Sequence, residues 1–244
     1  MWFEDRLIYF PDPWPADLDV EATAGRPVVE LTIESEGARL HGLQFPNPNA
    51  QQTLLFLHGN AGNLASRIPW LARLADLAEV VAIDYRGYGK STGRPDEQGL
   101  IADAVATWDH LVAATPGRAI VVYGHSLGGA VAAQLCARRP CSGLILSSTF
   151  TSLPDMAARQ MPLVPRALVR TQWDSLAQMP GLTMPKLILH SRGDQLIPYE
   201  MAERNFAAAA QPKRLLLLDA ADHNEVVLQH GRAILEAVRQ VLTE

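Results

Sequence analysis

Ser126 stands between Gly124 and Gly128 in the stretch VVYGHSLGGAVAAQ, residues 121–134. The run before it is apolar, as a buried strand would be, and the run after it is alanine-rich and helical in pattern. A serine forced into a sharp strand-to-helix turn needs small neighbours. Bulky side chains at Gly124 or Gly128 would collide where strand and helix approach. The Gly-x-Ser-x-Gly spacing is therefore that of a nucleophile elbow. It lifts the hydroxyl above the strand ends, sets it at a helix N-terminus, and aims the backbone N–H of Leu127 at a developing oxyanion. Ser126 is the candidate nucleophile, and Leu127 the first candidate oxyanion donor.

A serine hydroxyl is a weak nucleophile at neutral pH and needs a base, which in turn needs an orienting acid. The chain has seven histidines: His41, His58, His110, His125, His190, His223 and His230. His58 ends an apolar run before Gly59. His125 lies inside the elbow and is expected to point away from the serine. His190 falls within a strand pattern, and His110 and His230 occupy helical positions. His223, in LLLLDAADHNE, follows the last strand pattern and precedes the last helix. A loop at the carboxyl end of a strand reaches a site there, so His223 is the candidate base. For the acid, LILHSRGDQLIP places Asp194 just after another strand, giving the chain order serine, acid, histidine. Its rivals are weaker. Asp219 and Asp222 are too near His223 in sequence to approach its ring from behind, and Asp174 lies in an irregular region.

A second oxyanion donor is expected from LLFLHGNAGN, a compact turn after a strand. The backbone N–H of Asn60, with that of Ala61 beside it, is the candidate. One motif is a decoy. DYRGYGKST ends like a phosphate-binding loop, but that loop requires a glycine where Asp84 stands, and TGRP rather than a helix follows.

The elements that must position these groups alternate along the chain. VVELTIE and ARLHGLQF read as a hairpin around Gly37; TLLFLH, EVVAIDY, AIVVYG, GLILSST, KLILHS and RLLLLD read as further strands. Helical patterns lie between them, over about residues 64–77 after an Asn63 cap, 96–114, and from Ser126 onward, with another closing the chain. This rhythm predicts an α/β fold with a mostly parallel sheet covered on both faces, in one domain spanning 1–244. The irregular segment of about 150–185 carries five prolines, Pro154, Pro162, Pro165, Pro180 and Pro185. An insertion at this point is expected to lie over the strand ends, where ligands bind. Of its apolar residues Met156, Met161, Leu163, Val164, Leu168 and Trp173, most are expected to pack this insertion onto the domain, although they could also line an acyl groove.

Composition bounds the partners. With 48% hydrophobic and 19% charged residues the chain is an ordinary globular one. A net charge of −5 and no basic block argue against nucleic acid. The only cysteines, Cys136 and Cys141, make no disulfide framework and read as buried thiols in a reducing, cytoplasmic setting. No run approaches the roughly 18 apolar residues of a membrane span, and the N-terminus lacks a signal-peptide pattern. The aromatic and aliphatic start, Trp2, Phe3, Leu7, Ile8, Tyr9, Phe10 and Trp14, is expected to pack against the domain, with peripheral membrane contact as the alternative.

LIYFPDP, HGNAGN, DYRGYGKSTGRP, GHSLGG, SSTFTSLPDMA and DHNE, in this order, resemble segments of the Bem46-like group of the α/β-hydrolase superfamily. The resemblance covers nearly the whole chain. It implies an eight-stranded mixed sheet whose second strand is antiparallel, a Ser126–Asp194–His223 triad, and a small cap matching 150–185. The expected activity is hydrolysis of carboxylic esters or thioesters through an acyl-enzyme, on a small-molecule or lipid acyl substrate and without metal or organic cofactor. A lipid-directed thioesterase or lysophospholipase, and a non-catalytic binding protein on the same fold, are the alternatives.

Overall fold

The structure is a computed structural model that describes residues 4–163 and 165–243. Trp2, Phe3 and Val164 lie outside the described residues. The chain divides into two compact units, one up to Val122 and one from Tyr123.

In the first unit two short helices, Asp5–Ile8 and Val20–Ala24, precede an antiparallel hairpin, β1 (Val29–Ser35) and β2 (Ala38–Phe45), in which Thr32 faces His41. Its turn is made by Glu36 and Gly37, both at positive φ (37° and 80°). Two further strands follow, β3 (Gln52–Leu57) and β4 (Glu79–Ile83). β4 pairs parallel to β3 and antiparallel to β2, so the order is β3-β4-β2-β1. The second strand is therefore antiparallel to both neighbours, as the resemblance implies. Every residue of β4 and all but the first of β3 are buried, while β1, at the edge, alternates. Continuous apolar runs suit strands covered on both faces, and alternation suits a half-solvated one.

Asn63 caps the next segment, its side chain accepting from the Ala65 N–H at 2.9 Å. The expected long helix is shorter than predicted. A 3₁₀ turn, Leu64–Arg67, leads into α1 (Ile68–Leu74), which then ends in a turn. Helix α2 (Glu97–Ala114) is capped by Asp96, which accepts from the Gly99 N–H at 2.7 Å. Its buried Asp103 takes the Arg86 guanidinium at 2.7 Å and the Arg86 N–H at 2.8 Å. That bond anchors the loop whose sequence imitates a phosphate-binding motif. Of the N-terminal apolar residues, Ile8 and Tyr9 are buried and Trp14 packs edge-on to His41. Leu7 and Phe10 are exposed, against the expectation that the whole stretch packs.

β5 (Ala119–His125) runs from the first unit into the second. It is followed by α3 (Leu127–Cys136), β6 (Gly143–Ser147), α4 (Leu153–Gln160), β7 (Lys186–Ser191), α5 (Glu200–Ala208), β8 (Lys213–Leu218) and α6 (Val226–Leu242). The strand order is β8-β7-β6-β5, and β7 pairs parallel to both β6 and β8. All ten residues of α3 are buried, which explains its small side chains. α6 buries Val226, Gly231, Ile234, Val238 and Val241, one helical stripe. Cys136 and Cys141 are buried free thiols.

Between β6 and β7 the chain forms α4, a 3₁₀ turn (Arg166–Leu168), a helical turn (Ser175–Gln178) and a second 3₁₀ turn (Met179–Gly181). Asp155 of α4 accepts from Thr151 Oγ1 at 2.6 Å and pairs with Arg166 and Arg204, each at 2.9 Å. Met156 and Trp173 pack as expected, but Met161, Leu163 and Leu168 do not: Leu163 is 96% exposed. They follow α4 on a proline-rich stretch too short and irregular to turn one face inward.

Candidate active site

Ser126 stands between the end of β5 and the start of α3 with φ 55° and ψ −120°, a strained conformation for a residue with a side chain. The surroundings hold it there. Its N–H donates to Ser147 O at 2.8 Å, and its carbonyl accepts from Thr149 Oγ1 at 2.7 Å. A Cβ at Gly124 would stand 2.2 Å from Gly128 O, and one at Gly129 2.5 Å from Thr149 Oγ1. Gly129, which the spacing did not single out, is thus also required for the close approach. Leu127 is the first residue of α3, so its N–H lacks an intrahelical acceptor by helix geometry.

The Ser126 Oγ lies 3.1 Å from His223 Nε2, and His223 Nδ1 lies 2.7 Å from Asp194 Oδ2. All three residues are buried, Ser126 at 6% exposure, His223 at 5% and Asp194 at 7%. Asp194 sits in a tight turn after β7. Its Oδ1 accepts the N–H groups of Leu196 at 3.0 Å and Ile197 at 2.8 Å. Burial by itself would raise this carboxyl. The hydrogen bonds from His190 and His223, the His223 charge and the Ile197 N–H outweigh it and hold Asp194 well below the ordinary carboxylate range.

The acid and histidine loops are tied to each other. Ser191 Oγ accepts from the N–H groups of Gly193 at 3.1 Å and Ala221 at 3.0 Å. A Cβ at Gly193 would meet Ala220 C at 2.7 Å. Asp222, a rival for the acid, instead accepts from the N–H groups of His223 at 2.7 Å and Gln195 at 3.2 Å, bracing both loops. Asp219 is exposed, and Asp174 caps the Ser175–Gln178 turn. Sequence spacing had no means of finding the Asp222 brace, because it depends on which backbone N–H groups the folded loops present.

Two other histidines stand beside the trio. His125 does not simply turn away: its ring lies 5.4 Å from that of His223, tilted by 30°, with Nδ1 3.5 Å from Ser147 Oγ. His190 Nε2 lies 3.2 Å from Asp194 Oδ2. The remaining histidines are elsewhere. His41 bridges Asp84 and Glu30, and His230 contacts Asp219 O.

Asn60, the candidate second donor, lies in the first unit. Its carbonyl accepts from the Phe10 N–H at 2.9 Å and the Tyr88 hydroxyl at 2.8 Å, and its side chain donates to Ile8 O at 3.0 Å. His58 Nδ1 contacts Gly59 O at 2.7 Å, on the peptide that carries the Asn60 N–H. Burial pushes the His58 imidazole down to about 4, against the raising effect of the Asp84 charge. His58 is therefore neutral at pH 7, donates through Nδ1, and orients that peptide.

Residues 52–178 match the family model described as alpha/beta hydrolase fold. The chain is 39% identical to the Mycobacterium tuberculosis protein Rv2307c, over the whole of this chain and 89% of that protein. It is 36% identical to protein bem46 of Schizosaccharomyces pombe, over 91% of this chain and 76% of that one. Among solved structures, the Pyrococcus furiosus esterase Pf2001 is similar in fold, with a TM-score of 0.79 at 19% identity, covering 97% of each chain. The mostly parallel arrangement of eight strands flanked by helices is the fold this chain shares with that esterase. On fold and sequence together, the chain belongs to the α/β hydrolase family and, within it, to the Bem46-like group.

Proposed function

We propose that the protein is a serine hydrolase that cleaves carboxylic esters or thioesters through an acyl-enzyme. The observation that carries this reading is the unbroken chain from Ser126 Oγ to His223 Nε2 at 3.1 Å and from His223 Nδ1 to Asp194 Oδ2 at 2.7 Å. It starts from a serine held at positive φ on a helix N-terminus. His223 takes the proton of Ser126 as Oγ bonds to the acyl carbon. The Leu127 N–H receives the negative charge that develops on the acyl oxygen. His223 then gives the proton to the departing alcohol or thiol. In the second half it takes a proton from water as the water oxygen bonds to the acyl carbon, and returns that proton to Ser126 Oγ as the Oγ–acyl bond breaks and the acid leaves. Asp194, kept ionised by its hydrogen bonds, fixes the imidazole tautomer and stabilises the imidazolium.

Segment 150–185 is the proposed cap. Exposed Met161, Leu163 and Leu168 favour a second reading within the same chemistry, in which an acyl chain or lipid surface meets apolar side chains there. Hydrolysis of p-nitrophenyl esters of graded acyl length, with Ser126→Ala beside the wild type, tests both. Ser126-dependent turnover peaking at short chains supports a general esterase. A peak at long chains supports the lipid-directed reading. Turnover that persists unchanged in Ser126→Ala contradicts both.

A further inference from the structure

Asp194 serves two histidines. His223 Nδ1 approaches Oδ2 at 2.7 Å, and His190 Nε2 approaches the same oxygen at 3.2 Å. His190 belongs to β7, four residues before Asp194, and is fully buried. Its Nε2 also lies 2.9 Å from Ile197 O. Both neighbours of Nε2 are acceptors, so the ring proton sits on Nε2 and is shared between them. The other ring nitrogen, Nδ1, has no hydrogen-bond partner among the described residues. A histidine placed only to fill a strand position would gain nothing from this arrangement, because a leucine or phenylalanine fills buried space without leaving a polar atom unpaired.

We infer that His190 is a positioning residue for the hydrolysis: its Nε2–H clamps the Asp194 carboxylate against the Ile197 carbonyl and leaves Oδ2 aimed at His223. This rests on the triad reading above. The carboxylate is then held at every lone-pair direction. Leu196 and Ile197 N–H groups fix Oδ1, and His190 fixes the side of Oδ2 that His223 does not use. The clamp closes a ring, because Ile197 both donates its N–H to Asp194 Oδ1 and accepts from His190. Rotation of the carboxylate would break all of these together. The effect is to hold the geometry of the His223–Asp194 couple through a residue that touches neither serine nor substrate. The other charged or titratable groups facing His223 are His125 across its ring and Asp222 at its backbone N–H. Neither reaches the Asp194 carboxylate in the described contacts.

Two variants separate positioning from packing. His190→Met keeps volume and removes the donor; His190→Gln places an amide N–H near the Nε2 position. On a p-nitrophenyl ester, His190→Met is expected to lower kcat roughly 10-fold with KM unchanged, the size of losing one charge-assisted hydrogen bond. His190→Gln is expected to restore most of it. Equal kcat in wild type and His190→Met, or a Gln variant no better than Met, would overturn the inference. A second readout needs no turnover. In ¹⁵N-labelled protein at neutral pH, His190 should show the tautomer protonated on Nε2, and a Nδ1-protonated ring would also overturn it. Ser126→Ala run in parallel separates the two levels. If the wild-type turnover does not depend on Ser126, the hydrolase reading fails, and the tautomer alone then decides whether the clamp exists.

Discussion

At the residue scale, the account assigns unequal roles to three buried side chains. In the proposed mechanism Ser126 forms and breaks bonds, His223 moves the proton, and Asp194 only orients and stabilises charge. Ser126→Ala is therefore expected to lower kcat on the order of 10⁶, and Asp194→Asn on the order of 10⁴, each with KM nearly unchanged. Steady-state kinetics on one p-nitrophenyl ester checks both, and an Asp194→Asn loss below 10-fold would contradict the orienting role. These three residues could be picked from the sequence because each follows a strand and their chain order is serine, acid, histidine. His190 could not. It lies four residues before Asp194 inside an apolar strand, and only the turn at Gly193 brings its Nε2 back to the carboxylate.

At the scale of elements, the elbow is a contact between backbones before it is a motif. Gly124 is the tightest point: a methyl group there would sit 2.2 Å from Gly128 O, and neither backbone can give way without moving β5 or α3. Gly124→Ala is expected to cost about 3 kcal/mol or more, read as a drop in the urea midpoint. A cost below about 1 kcal/mol would mean that the strand–helix approach is looser than described. Strands and helices were legible where apolar runs alternate with helical ones. The helix after Asn63 was over-extended, since its first turn is 3₁₀ and its end lacks a stop signal in the sequence. The cap region was misjudged for a different reason. Hydrophobicity alone does not say which way a side chain points in a proline-rich segment, and Leu163 and Leu168 point outward.

At the scale of the whole molecule, buried ionisable groups make stability depend on pH. His58 is fully buried and its folded value, about 4, is lower than the 6.5 of an unrestrained histidine. The unfolded chain therefore takes up a proton at higher pH than the folded one. Stability from this group is complete above about pH 6.5 and is lost as pH falls toward 4, by at most roughly 3 kcal/mol. Asp194 acts in the same direction in a lower window. Its folded value is depressed, so its contribution is present above the unfolded value of about 3.9 and is lost as pH falls through the folded one. Urea unfolding between pH 7 and 4 should show this loss in the wild type and less of it in His58→Gln. An equal slope in both would remove His58 from the explanation. No helix among the described residues is long and apolar enough to cross a membrane.

The central claim is that Ser126 is an activated nucleophile, and covalent labelling tests it most directly. A fluorophosphonate probe should give one adduct, mapped by mass spectrometry to the Ser126 peptide. The adduct should be absent in Ser126→Ala and form far more slowly in His223→Ala. No adduct on the folded wild type, or an adduct only at another residue, would contradict the account.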